Sequence, residues 1–243
     1  MQKIIILPVF NEAKQIEGVL GQLENLADLF IIINDGSTDS SEEKIILWKK
    51  NKENVHYHKL IRNSGMARAL KKGFSLADQL MQDQKIHPED LVFTMDADGQ
   101  HNPEHIPEMV EVMENDGLDI LLNRRDFSLY PFHRKLGNRF LSFYASLLGG
   151  FRYKDVESGF RVMRARVIPK ILRYYIGCRY SNAQEIALIS ALLNFKINND
   201  FLMRIKLFRN RGPNYFDAAI IMAMGAVIFW KINFDKLKKR IKR

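Results

Sequence analysis

Cysteine is almost missing from this chain: Cys178 is the only one in 243 residues. No disulfide framework can therefore staple the fold, and a cysteine-based zinc site would have one ligand at most. Low-complexity runs, internal repeats and Gly/Ser linkers are also missing, and a hydrophobic content of 47% excludes a disordered chain. Long hydrophobic runs are scarce. The longest, Ala218 to Trp230, would cover about 20 Å as a helix, short of the roughly 30 Å hydrocarbon core of a bilayer. Asp217 and Lys231 bound it, so an interfacial or buried helix is expected rather than a span. The N-terminal run, Ile4-Ile5-Ile6-Leu7, is too short for a signal peptide and reads as a buried strand, which points to a chain that stays in the cytosol.

Charge of one sign is scarce in each half. Residues 1–119 hold 12 Lys and Arg against 21 Asp and Glu, whereas residues 120–243 hold 25 basic and 7 acidic residues. The net charge of +9 is thus a −9 half followed by a +18 half. A basic second half raises nucleic acid as a partner, but its Lys and Arg are interleaved with apolar helical stripes and form no nucleic-acid motif, so none is expected.

Short apolar runs alternate with amphipathic stretches over the first 125 residues. Strands are expected at 4–7, 30–33, 55–61, 91–95 and 120–122, and helices at about 12–26, 40–50, 67–81 and 104–114. This rhythm predicts an α/β fold, a mostly parallel sheet with helices on both faces. Beyond residue 125, an aromatic, amphipathic helix is expected over 134–151, a helix over 182–193 and a strand over 197–208.

Polar residues gather at the predicted strand ends: Pro8-Val9-Phe10-Asn11-Glu12, Asn34-Asp35-Gly36-Ser37-Thr38-Asp39 and Asp96-Ala97-Asp98-Gly99-Gln100. In parallel strands these ends share one edge of the sheet, where ligands bind. Asp96 and Asp98, two apart in an extended segment, point the same way. They suit a hard cation, Mg²⁺ or Mn²⁺, that keeps positions open for phosphate oxygens. Asp35 can accept a hydrogen bond from a base or ribose, or it can cap the helix that Ser37, Thr38 and Asp39 open. His101, beside Asp-Gly-Gln, reads as a loop residue.

These segments, with Asn63-Ser64-Gly65 followed by Ala69 and Gly73, occur in an order that resembles the family 2 inverting glycosyltransferases of the GT-A, Rossmann-like nucleotide-sugar fold. Arg125 resembles that family's Ser-Arg position, although Asn123-Arg124 stands where Gly-Ser is usual. Asp155-Val156-Glu157-Ser158-Gly159-Phe160-Arg161 resembles the Asp-x-x-Ser-Gly-Phe-Arg segment of the branch that uses dolichyl or polyprenyl phosphate. Arg209-Asn210-Arg211-Gly212-Pro213-Asn214 stands in place of an Arg-x-x-Gly-x-Ser segment. There is no Gln-x-x-Arg-Trp segment, which argues against a processive polysaccharide synthase.

The resemblance implies a catalytic domain over 1–212, with a nucleotide-sugar half (1–125) and an acceptor half (126–212). Residues 213–243 would add an apolar helix and a basic tail for membrane-surface attachment. It implies a metal-dependent hexosyltransferase in which Pro8, Asn11, Glu12, Asp35, Gly65 and Asp96 hold a GDP- or UDP-sugar. Asp96 and Asp98 would carry the cation, Gln100 would lie near it, and Arg125 and Arg161 would take the remaining phosphate charge. A lipid phosphate is already ionised near pH 7 and needs cations rather than a base; Arg125, Arg139 and Arg161, with Ser158 beside them, are the candidates. A sugar hydroxyl in a surface glycan, the alternative acceptor, needs a base, and Glu157 or Glu185 is placed for it. The last 13 residues carry seven basic charges against Asp235. Such a cluster favours peripheral docking at the cytoplasmic membrane face. The same helices suit pairing with a second copy.

Overall fold

The computed structural model describes residues 1–128, 130–204 and 215–241, without the side chains of His133 and Tyr215. Nine strands are described: β1 (Lys3–Val9), β2 (Leu29–Asn34), β3 (Val55–Lys59), β4 (Leu91–Thr94), β5 (Ile120–Leu122), β6 (Arg124–Arg125), β7 (Arg161–Arg164), β8 (Ile197–Asn198) and β9 (Leu202–Met203). Eight α-helices accompany them: α1 (Ile16–Leu23), α2 (Ser41–Lys49), α3 (Met66–Gln82), α4 (Ile106–Asn115), α5 (Phe132–Gly149), α6 (Ile168–Tyr174), α7 (Asn182–Leu192) and α8 (Tyr215–Ile241). The main sheet runs β3-β2-β1-β4-β7-β5-β8, parallel except for β7, and β6 pairs with β9 apart from it.

The near-continuous apolar strands follow from burial on both faces. Ile4 and Ile6 of β1, with Ile31 and Ile33 of β2, pack with Leu70 and Phe74 of α3 and with α7 residues such as Ile186. Ile5, Leu7, Phe30 and Ile32 face Ile16 and Leu20 of α1, Ile45 of α2 and Met109 of α4. Gly73 lets α3 close on the sheet: a β-carbon there would lie 2.4 Å from Ile6 Cγ2. Even-numbered residues of β1 bond toward β4 and odd ones toward β2. The β4 pairing stops at Ile6, so the missing N–H of Pro8 costs no ladder bond.

The structure departs from the sequence pattern at four places. The first helix begins at Ile16, because Glu12 and its neighbours form a loop whose carbonyl accepts from Gln15 and Ile16 N–H. The strand expected over 197–208 is broken after Asn198. Asn199 turns its side chain to the 154–155 backbone and to Leu122 O, and residues 205–208 lie outside those described. β7 has no apolar run to announce it, since Arg161 and Arg164 flank only Val162 and Met163. α8 extends well beyond the apolar run, through the basic tail to Ile241. The segment 209–214 and the proposed boundary at 212–213 fall outside the described residues.

Candidate active site

The order of strands reverses between β1 and β4, and the carboxyl ends there open the crevice in which such sheets bind ligands. On one side, the β1 and β2 loops are clamped together. Asn11 sits at φ 53°. Its Oδ1 accepts from Thr38 N–H at 2.8 Å, and its own N–H donates to Ser37 Oγ at 3.1 Å. The Glu12 N–H donates to Ser41 Oγ at 2.8 Å.

Asp35 is buried and accepts from Ser64 N–H at 2.7 Å and Gly65 N–H at 2.8 Å, so it ties β2 to the head of α3. Burial raises its carboxyl above the ordinary range against the pull of those two bonds. The α2 end is instead served by Asp39, which accepts from Ser41 and Ala13 N–H. Gly36, at φ +70°, is required because a β-carbon would meet Arg62 C at 2.6 Å.

Beyond β4, Asp96 and Asp98 are both half-buried at the edge of the crevice. Asp98 Oδ1 accepts from Gln100 N–H at 3.0 Å. His101 Nε2 lies 3.4 Å from Asp96 Oδ2. Burial would raise Asp96, but His101, Arg161 and Arg125 outweigh it and hold the carboxyl below its ordinary value. Antiparallel β7 begins at the same edge, with Arg161 paired to Thr94 and Leu122, and the preceding segment brings Gly159 against Asp96.

That segment holds a charged cluster. Arg125 donates from Nε to Asp155 Oδ2 at 2.8 Å and from Nη2 to Asp155 Oδ1 at 3.0 Å and Asn138 Oδ1 at 2.8 Å. Burial pulls Arg125 down, and Asp155 more than offsets it, keeping the guanidinium above its ordinary value. Asp155 is likewise raised by burial and lowered further by Arg125. Glu157 is pushed up to about 7 by burial and by Asp155, against the opposing pull of Arg125 and Arg161. Arg161 is 1% exposed and donates from Nη2 to Ser158 O. Burial holds it below its ordinary value despite Tyr175, Asp96, Glu157 and Asp155.

Four buried polar atoms of this cluster have no partner among the described residues: Asn138 Nδ2, Glu157 Oε1, Ser158 Oγ and Arg161 Nη1. Each such group costs about 1–3 kcal/mol if left unsatisfied, so the cluster suits a polar ligand or bound water.

The sequence-named residues thus divide. Pro8, Asn11, Glu12, Asp35 and Gly65 build the β1–β2 side, and Asp96, Asp98, Gln100, Arg125, Glu157, Ser158 and Arg161 build the β4–β7 side. Arg139 is exposed on α5. Glu185 has a different use from that of a base. It is buried in α7 and accepts from Ile176 N–H at 2.6 Å, Gly177 N–H at 3.1 Å and the Ser181 hydroxyl, which fixes the 176–181 loop. Sequence reasoning left Asn138 without a role. Its only signal is its place on the buried side of an amphipathic helix.

A sequence model of glycosyl transferase family 2 matches residues 4–180. The chain belongs to this family. Among family relatives, an uncharacterized protein of Methanocaldococcus jannaschii is 31% identical over 82% of this chain and 86% of its own length. The UDP-N-acetylglucosamine–dolichyl-phosphate N-acetylglucosaminyltransferase of Methanococcus voltae is 30% identical over 76% of this chain and 78% of its own. The dolichol-phosphate mannosyltransferase of Pyrococcus furiosus is 28% identical over 73% of this chain and 50% of its own. Among solved structures, glucosyl-3-phosphoglycerate synthase of Mycobacterium tuberculosis with UDP superposes at TM-score 0.69. It is 16% identical and covers 94% of this chain and 80% of the other. The same synthase also superposes at TM-score 0.66 as its complex with Mn²⁺, UDP and glucosyl-3-phosphoglycerate, at 16% identity over 92% of this chain and 78% of the other. The family 2 fold therefore carries the crevice just described.

Proposed function

We propose that this family 2 enzyme transfers a hexose from a nucleoside diphosphate sugar to a polyprenyl or dolichyl phosphate at a membrane surface. The observation that carries the reading is the Arg125–Asp155–Glu157–Arg161 cluster with its unpartnered polar atoms, on the same side of the crevice as Asp96 and Asp98. The acceptors named for the Methanococcus and Pyrococcus relatives support it.

The residues fit a divalent cation. Two arginines stand against Asp96, Asp98, Asp155 and a partly ionised Glu157, so the bare crevice is negative and would repel a diphosphate. Among the described residues, no three His, Cys, Asp or Glu side chains form a closed metal cage. Asp96 and Asp98 therefore suit an ion that takes its other ligands from phosphate and water. A bound Mg²⁺ or Mn²⁺ would neutralise the charge that develops on the leaving diphosphate. The neighbouring synthase complex with Mn²⁺ and UDP is consistent with this use of the fold.

The chain's own residues do the rest. Asn11, Glu12 and Asp35 hold the loops that frame the nucleoside, with Pro8 and Gly65 shaping their backbone. Gln100 steadies Asp98 through its N–H. Arg125, aimed by Asp155 and Asn138, faces the incoming phosphate, which attacks without a base. Arg139, on the exposed side of α5, takes the lipid phosphate as it arrives, and Ser158 and Arg161 complete the polar wall.

The apolar faces of two helices supply the membrane surface. α5 exposes Phe132, Leu136, Phe140, Phe143 and Leu147, and α8 exposes Val227, Trp230, Phe234, Leu237 and Ile241. α8 is long and apolar enough to cross a bilayer. It is nevertheless held along its length by Asp217 to Arg179, Tyr144 to Met222 O, and Asp235 to Arg173 and Tyr174. A helix held this way suits docking on a membrane surface rather than crossing it, and the cytoplasmic face is the side proposed.

A sugar hydroxyl acceptor is the second reading, favoured by one observation: Glu157, near 7, is tuned as a general base would be. The test incubates the purified chain with radiolabelled UDP- and GDP-sugars, Mn²⁺ or Mg²⁺, and polyprenyl phosphate. Label is expected in the lipid phase for one donor, with Glu157→Gln retaining transfer within a few-fold. Loss of transfer by about 10²-fold in Glu157→Gln would favour the hydroxyl acceptor.

A further inference from the structure

His101 is not used by the reading above, yet it is built into the crevice. Its side chain is 4% exposed. The ring stands edge-on to Phe160, 5.5 Å between centroids, and Phe160 in turn packs on Phe93 at 6.5 Å. Packing therefore fixes the ring plane. Nε2 lies 3.4 Å from Asp96 Oδ2, while Nδ1 is buried without a partner among the described residues. That pattern selects the tautomer: a proton on Nδ1 would be an orphan donor and would turn a lone pair onto the carboxylate, whereas a proton on Nε2 donates to Asp96.

Backbone also packs against the Asp96 carboxylate. Thr94 Oγ1 donates to Gly159 O at 2.9 Å and holds the 159 backbone against β4. A β-carbon on Gly159 would lie 2.6 Å from Asp96 Oδ2 and 3.0 Å from Cγ. The Asp96 carboxylate thus sits against both a packed ring and a pinned glycine. Its Oδ2 is tethered, and its Oδ1 accepts no hydrogen bond among the described residues.

We propose that His101 is a positioning residue for Asp96, holding Oδ2 through Nε2–H so that the carboxylate is oriented before a divalent cation arrives. It acts through Asp96 and does not touch the cation or the substrates. This rests on the reading of Asp96 and Asp98 as the cation's carboxylates.

The test reads metal binding directly, by the loss of the free Mn²⁺ electron-spin resonance signal when the full chain is titrated with Mn²⁺, alone and with UDP or GDP. Removing a partner of this kind weakens metal binding by about 10–100-fold, which is the change expected for His101→Leu. The rescue is position-specific. The terminal amide of Gln reaches as far as Nε2, so His101→Gln should bind within about threefold of wild type. The amide of Asn reaches only as far as Nδ1, so His101→Asn should behave like His101→Leu. Melting temperatures of the three variants serve as the folding check.

Equal Mn²⁺ affinity in wild type and His101→Leu would overturn the proposal, as would equal affinities in the Gln and Asn variants. Asp98→Asn separates this failure from a failure of the underlying reading. If wild type and Asp98→Asn bind Mn²⁺ alike, the carboxylate assignment falls and the role of His101 falls with it. If Asp98→Asn alone loses binding, only the role of His101 is refuted.

Discussion

A single β-carbon at position 159 would lie 2.6 Å from Asp96 Oδ2, so Gly159→Ala must displace either the carboxylate or the 155–160 segment. A misplacement of about 1 Å can cost as much as 10²-fold in rate. Gly159→Ala should therefore lower kcat by about tenfold or more; wild-type kcat would show that Asp96 need not sit where the structure holds it. Glu157 gives a second prediction. Burial lifts its carboxyl from 4.5 to about 7, so the folded chain holds this proton more tightly than the unfolded chain does. Its contribution to stability is complete below about pH 4.5 and is lost as pH rises through about 7. Glu157→Gln removes that loss, so its advantage in melting temperature over wild type should grow between about pH 5 and pH 8. A difference independent of pH would contradict the assignment. At this scale the sequence was most legible in placement, since Asp96 and Asp98 stand at the crevice edge with Arg125 near them, as their strand-end positions imply. It was least legible where a residue serves another. Glu185 looks like a free carboxylate in the sequence, but the 176–181 loop consumes both its oxygens. Asn138 gives no warning that it helps to aim Arg125.

At the scale of elements, the apolar strands β1, β2 and β4 and the α3 stripe were readable because burial dictates their pattern. β7 was not, because its ends are arginines whose charge is met only in three dimensions. Arg161 enters the cluster beside the crevice, and Arg164 donates to Leu118 O and Glu114. α8 was readable only in part. The apolar run was visible, but the helix continues into a Lys/Arg-rich tail of good helix formers, held by Asp235 to Arg173 and Tyr174. The proposed docking surface belongs to this scale. Replacing Lys238, Lys239 and Arg240 together by Gln should weaken flotation with anionic vesicles by about 10²-fold, at about 1 kcal/mol per charge. Phe140→Glu with Trp230→Glu should weaken it on neutral vesicles as well. Unchanged flotation in both variants would remove α5 and α8 from the membrane.

For the whole molecule, the charge split maps onto the fold. The acidic half contributes β1 to β4 and the two aspartates, a region that would attract phosphates only through a bound cation. The basic half contributes α5 to α8, Arg125, Arg139 and Arg161, where an anionic lipid acceptor would arrive. A net charge of +9 conceals both. The proposed acceptor is a lipid phosphate rather than a hydroxyl, and this choice can be read out directly. One reaction decides it, offering radiolabelled donor to equal amounts of polyprenyl phosphate and the matching polyprenol. Label is expected in the phosphate lipid alone, and Asp98→Asn should lower its entry by about 10²–10³-fold. Label on the polyprenol, or equal labelling of both, would contradict it.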